Sequence, residues 1–312
     1  MQETSDCINI DPALPIYNYA CGYEILDIFR SCLILPGGPD YRAQTLAGEI
    51  RRICAETPGT SDQRRNIINC KQLLTTIYHL IHWIVEDIPH DDEKQNILAS
   101  TLAILYRTND CVRQREENPC KWEGLPGLSA SVRRWYENDD ITECRASGGG
   151  NPDEEELAQW RNWAAFLARL AVRDVESLCY GIWIIRKALE GGVRSENQNN
   201  PIVKGDSLHT RLCGVRDWLD IAGPRILQFL LVSAGNGTAV DDMAARTCEP
   251  GRLCGDAVPA FGMERWSFWK QRLGEMSGPQ LAELELDEED TVPLCNEVLA
   301  IMGRIEQEAG LV

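Results

Sequence analysis

The longest stretch of helical apolar spacing in the chain begins at Asn151-Pro152 and ends at Gly191-Gly192. Asn151 can cap a helix, Pro152 suits its first position, and the glutamates that follow favour the positive end of the helix dipole. Apolar side chains then recur at the period of one helix face as far as residue 190. Because such a stripe must be covered by other segments, the sequence predicts a long central helix over 152–190.

Shorter segments with the same period occupy most of the remaining chain, and no segment alternates apolar and polar residues as a β-strand does. Between them lies a polar stretch at about 108–150, which we interpret as a long loop or lid with one short helix near Ser129–Glu137. The sequence predicts an all-α fold, with 1–312 as a single multi-helix domain. Gly223-Pro224 divides two of the other helices, which are expected at about 17–35, 40–56, 63–87, 92–107, 206–221, 224–234, 259–275 and 291–308.

The charge balance is strongly acidic. Lysine and arginine total 31, and aspartate and glutamate total 48, so the net charge is −17. A chain with this balance offers no broad basic face for duplex DNA, which excludes DNA as a partner. No apolar run approaches the ~18 residues of a membrane helix, so no membrane partner is expected. The first residues lack the basic and apolar regions of a secretory signal, which predicts a cytoplasmic protein.

The chain has 13 cysteines, most of them within apolar helical patterns. In such positions reduced thiols act as small hydrophobic side chains. No two cysteines have CxxC spacing, and no histidine has zinc-finger spacing to a cysteine pair, so no metal is predicted. No glycine-rich nucleotide motif joins a strand to a helix, so no cofactor is predicted.

A polar strip runs beside the apolar stripe of the predicted central helix. Arg169 and Arg173 lie one turn apart, and Glu176 follows three residues later. Such residues either border a pocket for a charged ligand or form a solvated face joined by ion pairs. Asp174 falls nearer the apolar stripe, where a carboxylate needs an arginine partner or a pocket. The residues predicted to border a pocket are Asn162, Arg169, Arg173, Asp174, Glu176 and Tyr180.

A histidine and a carboxylate lie one turn apart on the helix predicted over 63–87. His82 and Glu86 have the spacing of a general base oriented by an acid. A histidine that is hydrogen-bonded within the core or at its boundary would show the same spacing. The sequence leaves both interpretations of His82 open.

Three stretches, which begin at Glu86, Trp160 and Met263, carry distinctive patterns. The first contains the turn Ile-Pro-x-Asp, and the others read W-x-N-x-x-A-F-x-A-R-L and E-R-W-x-F-W-K-x-R. Together they resemble a large fungal family of helical proteins that is classed as domain of unknown function 3632. The resemblance spans roughly residues 70 to 308.

The resemblance implies a function. Members of this family are often encoded beside fungal secondary-metabolite genes, and the fungal synthases of arginine-containing cyclodipeptides are similar to it. Those enzymes join arginine to a second amino acid as a diketopiperazine, and they draw both residues from aminoacyl-tRNA. The implied partners are therefore arginyl-tRNA and a second charged tRNA.

Such an activity needs an acidic group for the guanidinium, a base for the α-amine and basic residues for the acceptor end of the tRNA. Asp174 and Glu176 are candidates for the first role, and Tyr180 or His82 for the second. An aromatic ring beside the basic residues could stack on an unpaired base. The residues expected at the acceptor end are Arg169, Arg173, Arg133, Arg134 and Trp135. An alternative place for the substrate pocket is around Arg265, Trp266 and Trp269.

Two other functions stay open. A non-catalytic helical interaction protein would bind partners in its grooves, and its helical core would be dry and closed. A cyclase that acts on a small pathway intermediate would need a large apolar cavity with few charges.

Overall fold

The computed structural model describes residues 22–56, 70–112, 120–138, 153–192, 204–236, 247–255 and 257–311. Within these ranges the all-α prediction is confirmed, because the described residues form helices and no strand, with isolated bridges such as the one between Cys111 and Lys121. None of the described helices is long and apolar enough to cross a membrane. The helices are α1 (Gly22–Leu33), α2 (Pro39–Glu56), α3 (Cys70–Glu86), α4 (Glu93–Tyr106), α5 (Leu128–Asn138), α6 (Glu154–Ala171), α7 (Cys179–Leu189), α8 (Gly205–Asn236), α9 (Met263–Met276) and α10 (Glu288–Glu308).

The chain divides into two compact units. The first unit contains α1 to α5 together with residues 158–166 and 173–176. In it α2 packs against α1 and α4, and α3 packs against α1 and α5. Its core is formed by the apolar faces that the helical period predicts, and Ile25, Leu46, Leu73 and Leu98 are completely buried there.

The second unit contains residues 153–157 and 167–172 and the described chain from Ser177 onward. In it α8 packs against α7 and α10, and α9 packs against α10. A capping box begins α6, because the Asp153 carboxylate accepts the N–H of Glu156 and the Glu156 carboxylate accepts the N–H of Asp153, both at 2.9 Å. The division into units does not test the prediction of a single domain.

The predicted central helix over 152–190 is wrong in one respect, since residues 172–178 separate α6 from α7. Asp174 adopts a φ of 58° in this turn, a left-handed conformation that aspartate tolerates better than most residues. Arginines bind the carbonyls released where the helix ends: Arg225 donates to Val172 at 2.8 Å in the second unit, and Arg107 donates to Arg173 at 2.9 Å in the first. The break therefore arises without glycine or proline.

The predicted division at Gly223-Pro224 is also wrong, because α8 continues through it. A proline inside a helix deprives the carbonyl four residues earlier of its hydrogen bond. That residue is Asp220, and both it and Pro224 are exposed, so solvent can hydrate the freed carbonyl. Leu219 and Ile226 are buried on either side of the proline, and their packing keeps the helix in place.

The predicted loop or lid at about 108–150 lies partly outside the described residues. The described part contains α5, which confirms the short helix predicted near Ser129–Glu137. Residues 113–119 and 139–150 are not described, and a lid role for this stretch stays a prediction.

Helices α7 and α8 approach each other closely at Gly181, and a mutation there tests their packing. A Cβ atom at Gly181 would lie 2.4 Å from Cε3 of Trp218, a fully buried ring. We expect Gly181→Ala to lower the free energy of unfolding by about 1–3 kcal/mol, because the packed ring has to move. Denaturant unfolding followed by circular dichroism measures this loss.

The matched control is Gly303→Ala in α10, where an added Cβ meets nothing within 4 Å. This change is expected to raise the free energy of unfolding by about 0.4–1 kcal/mol, because alanine restricts the unfolded chain. Equal effects at the two positions would contradict the close packing of α7 against α8.

Candidate functional site

The polar face of α3 carries His79, His82 and Glu86, spaced three and four residues apart so that they lie on one side of the helix. The opposite face is buried, with Leu73, Ile77 and Ile84 completely inaccessible. Because the core holds the helix by its apolar face, these polar groups are presented away from it. Only 13% of the His82 side chain is exposed.

Two tryptophans enclose this face. The ring centroid of His82 lies 4.3 Å from that of Trp135 on α5 and 4.5 Å from that of Trp163 on α6. The two indole rings meet edge to face, with their centroids 5.5 Å apart. The ring plane of His79 is perpendicular to that of Trp135, and these two centroids are 5.4 Å apart. We call these four residues the histidine–tryptophan cluster. All belong to the first unit, and ring contacts of this kind restrict the orientation of the imidazoles.

Hydrogen bonds to main-chain carbonyls fix the end of α3 beside the cluster. Nε2 of His82 lies 3.6 Å from Oε1 of Glu86, an ion pair when the imidazole is protonated. The Asn162 side chain donates to the Glu86 carbonyl at 2.7 Å. The Gln95 side chain donates to the carbonyls of Ile88 at 2.8 Å and Asn162 at 3.1 Å. Asn162 therefore ties α6 to the end of α3 through the main chain of Glu86.

The cluster offers both a proton acceptor and a donor. Desolvation lowers the pKa of His79, and the neighbouring His82 and Arg134 lower it further, which favours the neutral imidazole. The indole N–H of Trp163 is buried and has no hydrogen-bond partner in the described part of the chain. Buried donors are nearly always hydrogen-bonded in folded proteins, so this N–H is an exception.

Of the predicted acceptor-end residues in α5, Arg133 and Arg134 are exposed, whereas Trp135 is buried. The ring of Trp135 already contacts His79, His82 and Trp163. The prediction that Trp135 stacks on an unpaired base is therefore corrected, because these side chains take the space that a base would need.

The charged end of the polar strip lies in the turn after α6. Asp174 is exposed there, which corrects its predicted place near the apolar stripe: the helix ends before Asp174, so the helical period no longer applies. The Arg173 side chain is half-buried, and its Nε donates to the Ser100 hydroxyl at 3.2 Å. Glu176 is half-buried and accepts a hydrogen bond from the Ser129 hydroxyl at 3.0 Å.

The second unit holds a fully buried ion pair between Glu190 and Arg265. Nε of Arg265 donates to one carboxylate oxygen at 2.8 Å and its terminal nitrogen donates to the other at 3.1 Å. Trp269 and the Gly251 N–H each donate to the same carboxylate at 2.6 Å. Burial alone would raise the pKa of Glu190, but the Arg265 charge and these hydrogen bonds outweigh it and hold that pKa below its usual value.

The remaining donors of Arg265 bind the carbonyls of Cys248 and Ala260 at 2.5 and 2.7 Å. Trp266 is also fully buried and donates to Glu306 at 2.8 Å. The prediction that Arg265, Trp266 and Trp269 surround a substrate pocket is therefore corrected, because their polar atoms bind the chain itself. The pattern E-R-W-x-F-W-K-x-R stabilises the second unit.

Two candidates of the polar strip lie in the second unit: Arg169 is buried and Tyr180 is half-buried. Their roles in binding and proton transfer stay predictions.

The first unit brings His82, Asn162, Trp135 and Arg134 together. Sequence reasoning missed two members of this site, His79 and Trp163. The spacing of His79 and His82 signals the first, whereas Trp163 fits the core stripe of α6 equally well.

The description of the matching family is Protein of unknown function (DUF3632), and its model covers residues 78–273. No curated protein and no solved structure matches the chain. The matched range includes all four residues of the histidine–tryptophan cluster and the buried pair Glu190–Arg265. The chain belongs to this family.

Proposed function

We propose that this member of the DUF3632 family is a cyclodipeptide synthase of fungal secondary metabolism that forms cyclo-Arg-Xaa from aminoacyl-tRNA. The observation that carries the proposal is the placement of His82, enclosed by Trp135 and Trp163 with the Glu86 carboxylate 3.6 Å from its Nε2. An imidazole oriented by a carboxylate is the commonest general base in enzymes. The resemblance described above supplies the reaction.

In the first step the α-amine of one aminoacyl group attacks the ester carbonyl of the other. A C–N bond forms, the ester C–O bond breaks, and the ribose hydroxyl of the tRNA leaves. His82 takes the proton from the amine and returns it to the departing oxygen, and Glu86 stabilises the imidazolium between these events. The free N–H of Trp163 is suited to bind the carbonyl oxygen as negative charge develops on it. A second attack of the same kind closes the ring.

The first unit also offers groups for the ends of the substrate. Arg133 and Arg134 are exposed on α5 beside the cluster, where they would contact phosphates of the acceptor end. The half-buried Glu176 would hold the arginine guanidinium by a two-pronged ion pair. Charged tRNA is found in the cytoplasm, where we propose that the protein acts.

The test is production of the compound. A bacterial host that expresses the protein is profiled for cyclic dipeptides, and purified protein is incubated with arginyl-tRNA and a mixture of other charged tRNAs. Arginine-containing cyclic dipeptide that disappears after ribonuclease treatment is the expected result. Lack of product from folded protein in both experiments would overturn the proposal and favour the non-catalytic alternative. The buried pair Glu190–Arg265, whose polar atoms bind the chain itself, supports that alternative.

A further inference from the structure

Two cysteines of the second unit lie against each other. The Sγ atoms of Cys179 and Cys248 are 3.5 Å apart, although the residues are 69 positions apart in the chain. Both are buried, with 7% of Cys179 and none of Cys248 exposed. Neither forms a disulfide, and the same holds for the other cysteines in the described ranges. The oxidative joining of the two sulfurs would need them to approach to about 2.05 Å.

Hydrogen bonds anchor the backbone on both sides of this contact. Cys179 is the first residue of α7, and its N–H donates to the Ser177 hydroxyl at 3.1 Å. The carbonyl of Cys248 accepts from Arg265, and the carbonyls of its two neighbours accept from Arg186 at 2.7 and 2.9 Å. The sulfur contact therefore belongs to a well-fixed part of the second unit.

We propose that Cys179 and Cys248 form a dithiol site that small peroxides oxidise to a disulfide, which links segment 247–255 to the start of α7. Hydrogen peroxide oxidises the Cys179 sulfur to a sulfenic acid, and the peroxide O–O bond breaks to release water. The Cys248 sulfur then attacks the sulfenic sulfur; an S–S bond forms, the S–O bond breaks, and a second water leaves with the Cys248 proton. Two thiols and one peroxide give one disulfide and two waters.

The order of these steps follows from accessibility. Cys179 keeps 7% of its surface exposed and Cys248 keeps none, so a molecule as small as peroxide meets Cys179 first. The hydrogen bond to Cys179, together with burial, raises the pKa of Cys248, which keeps that thiol protonated and unreactive toward peroxide itself. The Cys179 thiol is the main cause of that raised pKa, so oxidation of Cys179 removes it, and the contact between the two sulfurs then makes Cys248 the resolving thiol.

Cys254 lies in the same segment and provides a matched control. It is buried, and burial followed by the nearby Glu190 carboxylate raises its pKa to about 12. A protonated thiol beside a carboxylate is a poor nucleophile. We therefore expect Cys254 to stay reduced when Cys179 and Cys248 are oxidised.

The test uses the purified full chain, treated with hydrogen peroxide, alkylated under denaturing conditions and digested with trypsin without reduction. Trypsin cuts after Arg173, Arg186, Arg246 and Arg252, so Cys179 and Cys248 fall in separate peptides, 174–186 and 247–252, each with one cysteine. The expected product is the linked pair of these peptides, which dithiothreitol separates. The melting temperature of the oxidised chain should rise by about 5–10 °C, because the link restricts the unfolded state.

Cys179→Ser and Cys248→Ser should each abolish the linked peptides, and Cys254→Ser should keep them. A linked peptide that contains Cys254, or alkylation of both thiols after peroxide treatment, would overturn the proposal. Oxidation of Cys179 to a sulfinic acid without a link would also overturn it. If a serine variant fails to fold, the peptides of the parent protein still decide the question. The readout needs no enzymatic activity, so it is independent of the proposed function.

Discussion

Replacing Glu190 with alanine is expected to lower the free energy of unfolding by about 3–5 kcal/mol, because the guanidinium of Arg265 is left buried without its carboxylate. Both side chains are completely inaccessible to solvent. The change also leaves the indole N–H of Trp269 and the N–H of Gly251 without their acceptor. Denaturant unfolding of parent and variant measures the loss.

The control is Glu297→Ala, which removes an ion pair with Arg216 at the surface, where half of the Glu297 side chain is exposed. Solvent screening limits the expected effect there to less than about 1 kcal/mol. A loss of the same small size at Glu190 would mean that water or another group replaces the carboxylate. The second unit would then not depend on this pair.

The pH dependence provides a second readout of the same pair. The folded-state pKa of Glu190 lies below its ordinary value of 4.5, so its contribution to stability is complete above that pH. The contribution decreases as the pH falls below 4.5 and the unfolded carboxylate takes up a proton. The difference in unfolding free energy between parent and Glu190→Ala should therefore shrink on acidification. A difference that stays constant down to the acid transition would contradict the lowered pKa.

The sequence predicts the helices well where packing and local signals agree. The apolar spacing on α3 and α10 matches the faces that the structure buries, and Asp92 caps α4 by accepting the N–H of Lys94 at 2.7 Å. The prediction from sequence fails where residues far away in the chain determine the point at which a helix ends. The break after α6 depends on Arg107 and Arg225, which bind carbonyls far from them in sequence. No local pattern around Asp174 indicates these partners.

In the candidate site, too, the sequence predicts the local spacing of residues on a helix but not the packing between helices. The spacing of His82 and Glu86 predicts their proximity, since residues four apart share a helix face. The enclosure of His82 by Trp135 and Trp163 depends on how three helices pack, which one sequence does not reveal. The pattern around Arg265 has the charged and aromatic residues of a binding site. Its structural role becomes visible only with Glu190, Gly251 and Glu306 in place.

His82→Gln is expected to lower the yield of arginine-containing cyclic dipeptide by about 10²–10⁴-fold, the usual contribution of a general base. Glutamine keeps a polar side chain of similar length between the two indoles but cannot accept the proton of the α-amine. Product per amount of folded protein is measured in cultures and with charged tRNA in solution. The melting temperature of each variant is recorded in parallel, because the imidazole also packs against Trp135 and Trp163.

The matched control is His209→Gln, a half-buried histidine of α8 whose Nε2 lies 3.7 Å from the Cys213 sulfur. It belongs to the second unit, so its replacement should leave the yield unchanged. Trp163→Phe separates positioning from proton transfer, because it keeps an aromatic ring beside His82 and removes the N–H proposed to bind the carbonyl oxygen, together with part of the indole's volume. A smaller loss of product is expected there than at His82. Equal yields from the parent and His82→Gln would place the base outside the histidine–tryptophan cluster, and Tyr180 would then be the next residue to replace.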